Sequence, residues 1–159
     1  MRKLVLIGVG AFLVSAAVGL SAKQPEYHGG WKMTWNKEGC TIEKQVPQGT
    51  VSTIMDEEDE TVISFSKVGW SPPPAGSTVK LHMSDFENIF EEVKVIRSAG
   101  NTLTIPLPIT SWQGMMSSDT ASVLFADGSR HDFTIAKPEV AVRAQADCVF
   151  WEVKGGPGR

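Results

Sequence analysis

His28, His82 and His131 are the side chains of this 159-residue chain best suited to act as general bases near neutral pH. His82 alternates with Leu81 and Met83, which places it on the outer face of a strand, whereas His131 shares the alternation of Phe133. Asp85 and Asp132 are close in sequence to two of these histidines, but the immediate neighbour on a strand points to the opposite face. No Gly-x-Ser-x-Gly elbow and no His-Glu-x-x-His pair occurs. A hydrolase or zinc enzyme would therefore need a His/carboxylate site assembled in space, and the sequence assigns no catalytic, cofactor-binding or metal residue.

The run Asp56-Glu57-Glu58-Asp59-Glu60 offers the oxygen ligands that calcium prefers. It lacks the alternating ligand spacing and central glycine of an EF-hand, and adjacent acids at a hairpin tip read as a solvated, self-repelling turn. Cys40 and Cys148 are the only cysteines and stand at opposite ends of the domain. A redox pair would need a Cys-x-x-Cys spacing, so a structural disulfide is expected, with up to ~4.7 kcal/mol of stabilisation in the chain-entropy model. Trp70, Pro72, Pro73, Pro74 and Trp112 fall in segments that are not regular strands and form a candidate interaction surface. Burial at the ends of a sandwich is the competing role for the tryptophans.

Compartment follows from the first 22 residues. Arg2 and Lys3 precede an apolar run from Leu4 to about Val18, which ends in Gly19-Leu20-Ser21-Ala22. This is the pattern of a secretory signal peptide over 1–22, and it implies a periplasmic or secreted protein in a disulfide-permissive compartment. An uncleaved anchor is the alternative, since Leu4–Ala22 could just cross a ~30 Å hydrocarbon core. Residues 23–153 then form a single domain and 154–159 a flexible glycine-rich tail. Loss of Arg2 and Lys3 leaves an acidic exported chain, which disfavours nucleic acid and anionic membranes as partners; no stable membrane insertion is expected after cleavage.

The elements that must position these residues are short period-2 segments divided by turn residues. Strands are expected over Trp31–Trp35, Cys40–Pro47, Thr50–Met55, Thr61–Val68, Val79–Met83, Val93–Arg97, Thr102–Leu107, Thr120–Ala126 and Arg130–Ala136, with Asp127-Gly128 as a tight turn. Ser84 and Glu87 fit a capping box for a helical turn carrying Phe86, Ile89, Phe90 and Val93. Thr110–Ser118 suits a short helix or ordered loop. Pro138 suits the first turn of a terminal helix, with Val140, Ala144, Cys148 and Trp151 on one face. The fold class is mainly β: a β-sandwich of about eight antiparallel strands, with one or two short helices and a C-terminal helix.

The order of these landmarks resembles small exported alphaproteobacterial proteins, the invasion-associated locus B family and related periplasmic domains of unknown function. The resemblance lies in the Trp-rich strand Trp31–Trp35, Cys40 after a short turn, Gly69-Trp70 through Gly76 to Val79-Lys80-Leu81, and a closing hairpin and helix ending at Cys148. The middle cysteine pair associated with the invasion-associated proteins is absent here, and Pro72–Pro74 lies outside the pattern. The resemblance implies a β-sandwich and, in some members, a role in host-cell colonisation. The expected function is a non-enzymatic, envelope-associated or protein-binding accessory protein, monomeric or weakly associating, with no cofactor. A periplasmic enzyme, an inhibitor of an exogenous hydrolase and an acidic-loop metal binder are the alternatives.

Overall fold

A computed structural model describes residues 24–85 and 90–156. The expected signal peptide over 1–22 and the Glu87 half of the capping box lie outside the described residues. The chain forms two antiparallel sheets. The larger, in the order β1-β2-β3-β4-β5-β9-β8, comprises β1 (Glu26–His28), β2 (Trp31–Asn36), β3 (Gly39–Val46), β4 (Gly49–Met55), β5 (Thr61–Ser66), β8 (Arg97–Ala99) and β9 (Thr102–Pro106). The smaller, β11-β10-β6-β7, comprises β6 (Thr78–Met83), β7 (Glu91–Lys94), β10 (Thr120–Leu124) and β11 (Arg130–Thr134). Among the described residues eleven strands stand where about eight were expected, partly because the short β1 precedes the Trp-rich strand.

Period-2 alternation builds the core. Ile42, Val51, Ile63, Phe65, Leu103 and Ile105 of the larger sheet are fully buried, as are Leu81, Val123 and Phe133 of the smaller. The Phe65 and Phe133 rings meet across the sheets with centroids 4.7 Å apart. Each such side chain contributes about 1.5–3 kcal/mol through burial.

The narrower sheet leaves part of the wider one uncovered, and two helices complete the layer. α2 (Glu139–Cys148) packs on β1, β2 and β3, and α1 (Ile109–Ser117) packs between α2 and β6. A π-helical turn, Val149–Val153, follows α2 directly. No helix among the described residues is long and apolar enough to cross a membrane.

Three expectations need correction. The buried stripe of α2 is Ala141, Val142, Gln145 and Cys148, while Val140 and Trp151 are 60% and 54% exposed. Pro138 stands at the cap position immediately before α2 rather than inside its first turn. The segment Val93–Arg97 is also not one strand. The Val95 N–H donates to the Ser77 carbonyl at 2.9 Å, prolonging the pairing of β7 with β6, and the Ile96 N–H donates to the Thr104 carbonyl of β9 at 2.9 Å. The chain thus changes sheet between two adjacent residues, which leaves Ile96 on the surface.

Candidate functional site: an apolar groove with an acidic rim

His82 lies on the outer face of its strand, as the alternation requires, yet it is only 8% exposed because Phe90 stacks on it with centroids 4.7 Å apart. The same face carries Ser122, paired in register with His82, and Asp132, paired in register with Ser122. Ser122 Oγ donates to Asp132 Oδ1 at 2.6 Å, and Arg130 bridges the pair, its Nε donating to Asp132 at 2.7 Å and an Nη to Ser122 at 3.0 Å. Two strands of separation thus bring a histidine, a carboxylate and a serine together that no linear motif announced.

The geometry is not that of an activated nucleophile, which requires the hydroxyl to donate to a base that a third group orients. Here the Ser122 proton goes to the carboxylate, and neither ring nitrogen of His82 has a hydrogen-bond partner among the described residues. Burial, followed by the nearby Arg130 charge, lowers the His82 pKa from 6.5, with Asp132 opposing. Burial pushes the Asp132 carboxyl up, but the Ser122 and Arg130 hydrogen bonds and the charges of Arg130 and His131 bring it below its ordinary value.

The candidate interaction surface divides into separate environments. Trp70 is 8% exposed, packed on Phe125, His131 and Phe133 with centroids 5.7, 5.1 and 5.7 Å away. Its indole N–H donates to the Asn101 carbonyl. It plugs one end of the sandwich. Pro72 and Pro73 are half-buried and Pro74 is exposed, and the loop is tied down by Ser98 Oγ donating to the Pro72 carbonyl at 3.4 Å.

Trp112, half-buried on α1, lines a groove of about 660 Å³ at another part of the molecule. Met55, Val62, Ile96, Leu107 and Ile109 complete its apolar wall, and Asp59 and Glu60 stand at its rim. Ile96 and Ile109 are 52% and 65% exposed. The sheet change at Val95–Ile96 supplies one wall, and the entry into α1 after Pro108 supplies the other. Glu91 accepts hydrogen bonds from the Thr110 and Ser111 hydroxyls in the first turn of α1 and fixes that helix to β7.

The acidic run forms the turn between β4 and β5. Asp56 Oδ1 accepts the N–H groups of Glu58 at 3.0 Å and Glu60 at 2.9 Å, and both oxygens of Asp59 accept Lys154 Nζ at 2.7 and 2.8 Å. Asp56, Glu58 and Glu60 each bring a carboxylate oxygen within 4.8 Å of the others.

The two cysteines are joined, with Cα atoms 6.1 Å apart. Sequence reasoning placed Trp112 among the candidate residues but missed Ile96 and Ile109, because their shared wall depends on the sheet change.

No family model matches the chain, and no curated protein matches it in sequence. Among solved structures it is similar to the crystal structure of invasion associated protein B from Bartonella henselae, with a TM-score of 0.56 and 11% sequence identity over 79% of this chain and 97% of that one. At this identity the likeness is one of fold, and it agrees with the two-sheet architecture expected from the order of landmarks.

Proposed function

We propose that the chain is an exported, non-enzymatic accessory protein of the envelope or the extracellular medium, and that its groove binds a partner protein through an apolar side chain flanked by basic residues. The observation that carries this reading is the groove itself: exposed Ile96 and Ile109 beside Trp112, with Asp59 and Glu60 at the rim. Apolar walls supply affinity, and the carboxylates of the 56–60 turn, of which Asp59 pairs with Lys154, select a positively charged neighbour. Export is supported by the pattern of residues 1–22 and by the disulfide. A role toward a host surface draws support from the fold likeness to an invasion associated protein. Residues 23–153 act as the binding domain.

A photo-crosslinking residue at position 96, in the oxidised protein within its native envelope fraction, tests this. One stoichiometric protein adduct is expected, lost in an Ile109→Glu variant of unchanged melting temperature and weakened when Asp59 and Glu60 are neutralised. Absence of an adduct, or an adduct indifferent to both changes, would overturn the proposal.

A further inference from the structure

We infer that the outward face of the larger sheet binds a neutral saccharide through its hydroxyl groups. Ile42, Val51, Ile63 and Leu103 point into the core, so the residues alternating with them point away from it. Register arranges these into two adjacent rows across β3, β4, β5, β9 and β8. One row reads Glu43, Ser52, Ser64, Thr104 and Arg97, and the next reads Gln45, Thr50, Ser66, Thr102 and Ala99. On the three middle strands every residue of both rows is Ser or Thr, and all are half-buried. Short side chains in the middle, with Glu43, Gln45 and Arg97 at the sides, shape the face into a trough of about 450 Å³.

The chemistry of the floor matches that of a polyol. Ser64 Oγ and Thr104 Oγ1 lie 2.8 Å apart, and Ser66 Oγ and Thr102 Oγ1 lie 2.7 Å apart. Each such pair uses one proton between its members, so a second O–H and several lone pairs remain for a ligand. Thr50 Oγ1 donates to Gln45 Oε1 at 3.0 Å, which turns that amide toward its row. The floor therefore donates and accepts at once, as a sugar does at each of its hydroxyls. The sides are one-sided: the Glu43 carboxylate accepts, and the Arg97 guanidinium donates from a planar fork. A vicinal diol can answer either, with its two O–H groups toward the carboxylate or its two oxygens toward the guanidinium. One acid and one base flank an uncharged floor, and this balance favours a neutral ligand over an anion or a cation.

A sheet face that only meets water is ordinarily kept soluble by long charged side chains. A block of six neighbouring hydroxyls does not serve that purpose, and their cross-strand pairing adds only modestly to the ladder. The pairing does orient the hydroxyls in advance, which lowers the ordering cost of binding. Four inter-strand spacings of ~4.8 Å set β3 and β8 ~19 Å apart, room for a chain of several sugar rings. The next row along the strands, Ile54, Val62 and Pro106, is apolar, and Val62 and Pro106 line the groove described above. The trough and the groove thus adjoin without sharing a lining residue.

The test is a ¹H–¹⁵N NMR titration of the oxidised protein, following the backbone amides of Ser52, Ser64 and Thr104. The probes are cellotetraose, maltotetraose, tetragalacturonate and tetraethylene glycol, the last a neutral chain with hydroxyls only at its ends. Saturable shifts are expected with at least one neutral tetrasaccharide, weaker binding with the acidic one and none with the glycol. Arg97→Gln should weaken binding by about 10-fold or more and Thr104→Val by about 3- to 10-fold, with the spectrum otherwise preserved. Absence of saturable shifts with both neutral tetrasaccharides, equal or tighter binding of tetragalacturonate, saturable shifts with the glycol, or binding that neither variant alters would overturn the inference. These outcomes are independent of the apolar groove, which neither Arg97 nor Thr104 lines.

Discussion

Gln145 Nε2 donates a 2.8 Å hydrogen bond to the carbonyl of Cys40, the residue whose sulfur is joined to Cys148 one turn further along α2. One residue of β3 is thus gripped twice by the same helix. The Gln145 amide is fully buried and fully used: Nε2 also donates to the Thr53 carbonyl at 3.0 Å, and Oε1 accepts Thr53 Oγ1 at 2.9 Å. Gln145→Ala leaves three buried polar groups without this partner and should cost about 2–4 kcal/mol. Cys148→Ser should cost about 2–5 kcal/mol. Urea unfolding of each variant measures both, and their sharing of Cys40 makes the double variant non-additive.

Stability should fall as the solution is acidified from neutrality. Burial lowers the pKa of both His82 and His131 below 6.5 in the folded protein, aided by Arg130 for His82 and by Lys67 for His131. Below 6.5 the unfolded chain takes up protons that the folded one refuses, so stability declines until the pH has passed the lower, folded-state values. His82→Asn should flatten part of that decline in melting temperature. Asp132 acts in a separate, more acidic window: its lowered pKa gives stability that is lost only as pH drops below the ordinary carboxylate range.

Trp70 and Ile109 should respond in opposite ways. Trp70→Ala removes a buried ring packed on three aromatic neighbours and should cost about 3–5 kcal/mol. Ile109→Glu changes an exposed side chain and should stay within about 0.5 kcal/mol while abolishing partner crosslinking. Thermal denaturation and crosslinking yield, measured on both variants, separate core from interface.

Millimolar calcium should leave the melting temperature and carboxylate NMR shifts unchanged. Asp56 already holds the turn through two backbone N–H groups, and Lys154 occupies Asp59. A saturable calcium shift would contradict this account of the acidic run.

The strands were legible where one face was apolar and the turn chemistry was sharp, as at Asp127-Gly128, where β10 and β11 pair from Thr120↔Thr134 to Leu124↔Arg130. The phase of α2 was not legible because its inward stripe runs through a glutamine; counting apolar residues selects Val140 and Trp151 instead. Sheet membership also escaped prediction, since Val93, Val95 and Arg97 keep one alternation while the pairing partner changes after Val95. The groove joins residues from distant segments, and only the fold brings them together.

The helix that completes the layer over β1 to β3 follows every described strand in chain order. Until Glu139–Cys148 has emerged, Cys40 and Thr53 face no partner from α2, and the disulfide spanning 108 positions cannot close. The clamp therefore closes after the strands it holds: β2, β3 and β4 can pair before α2 exists, and they become fully covered only once Glu139–Cys148 is free to dock.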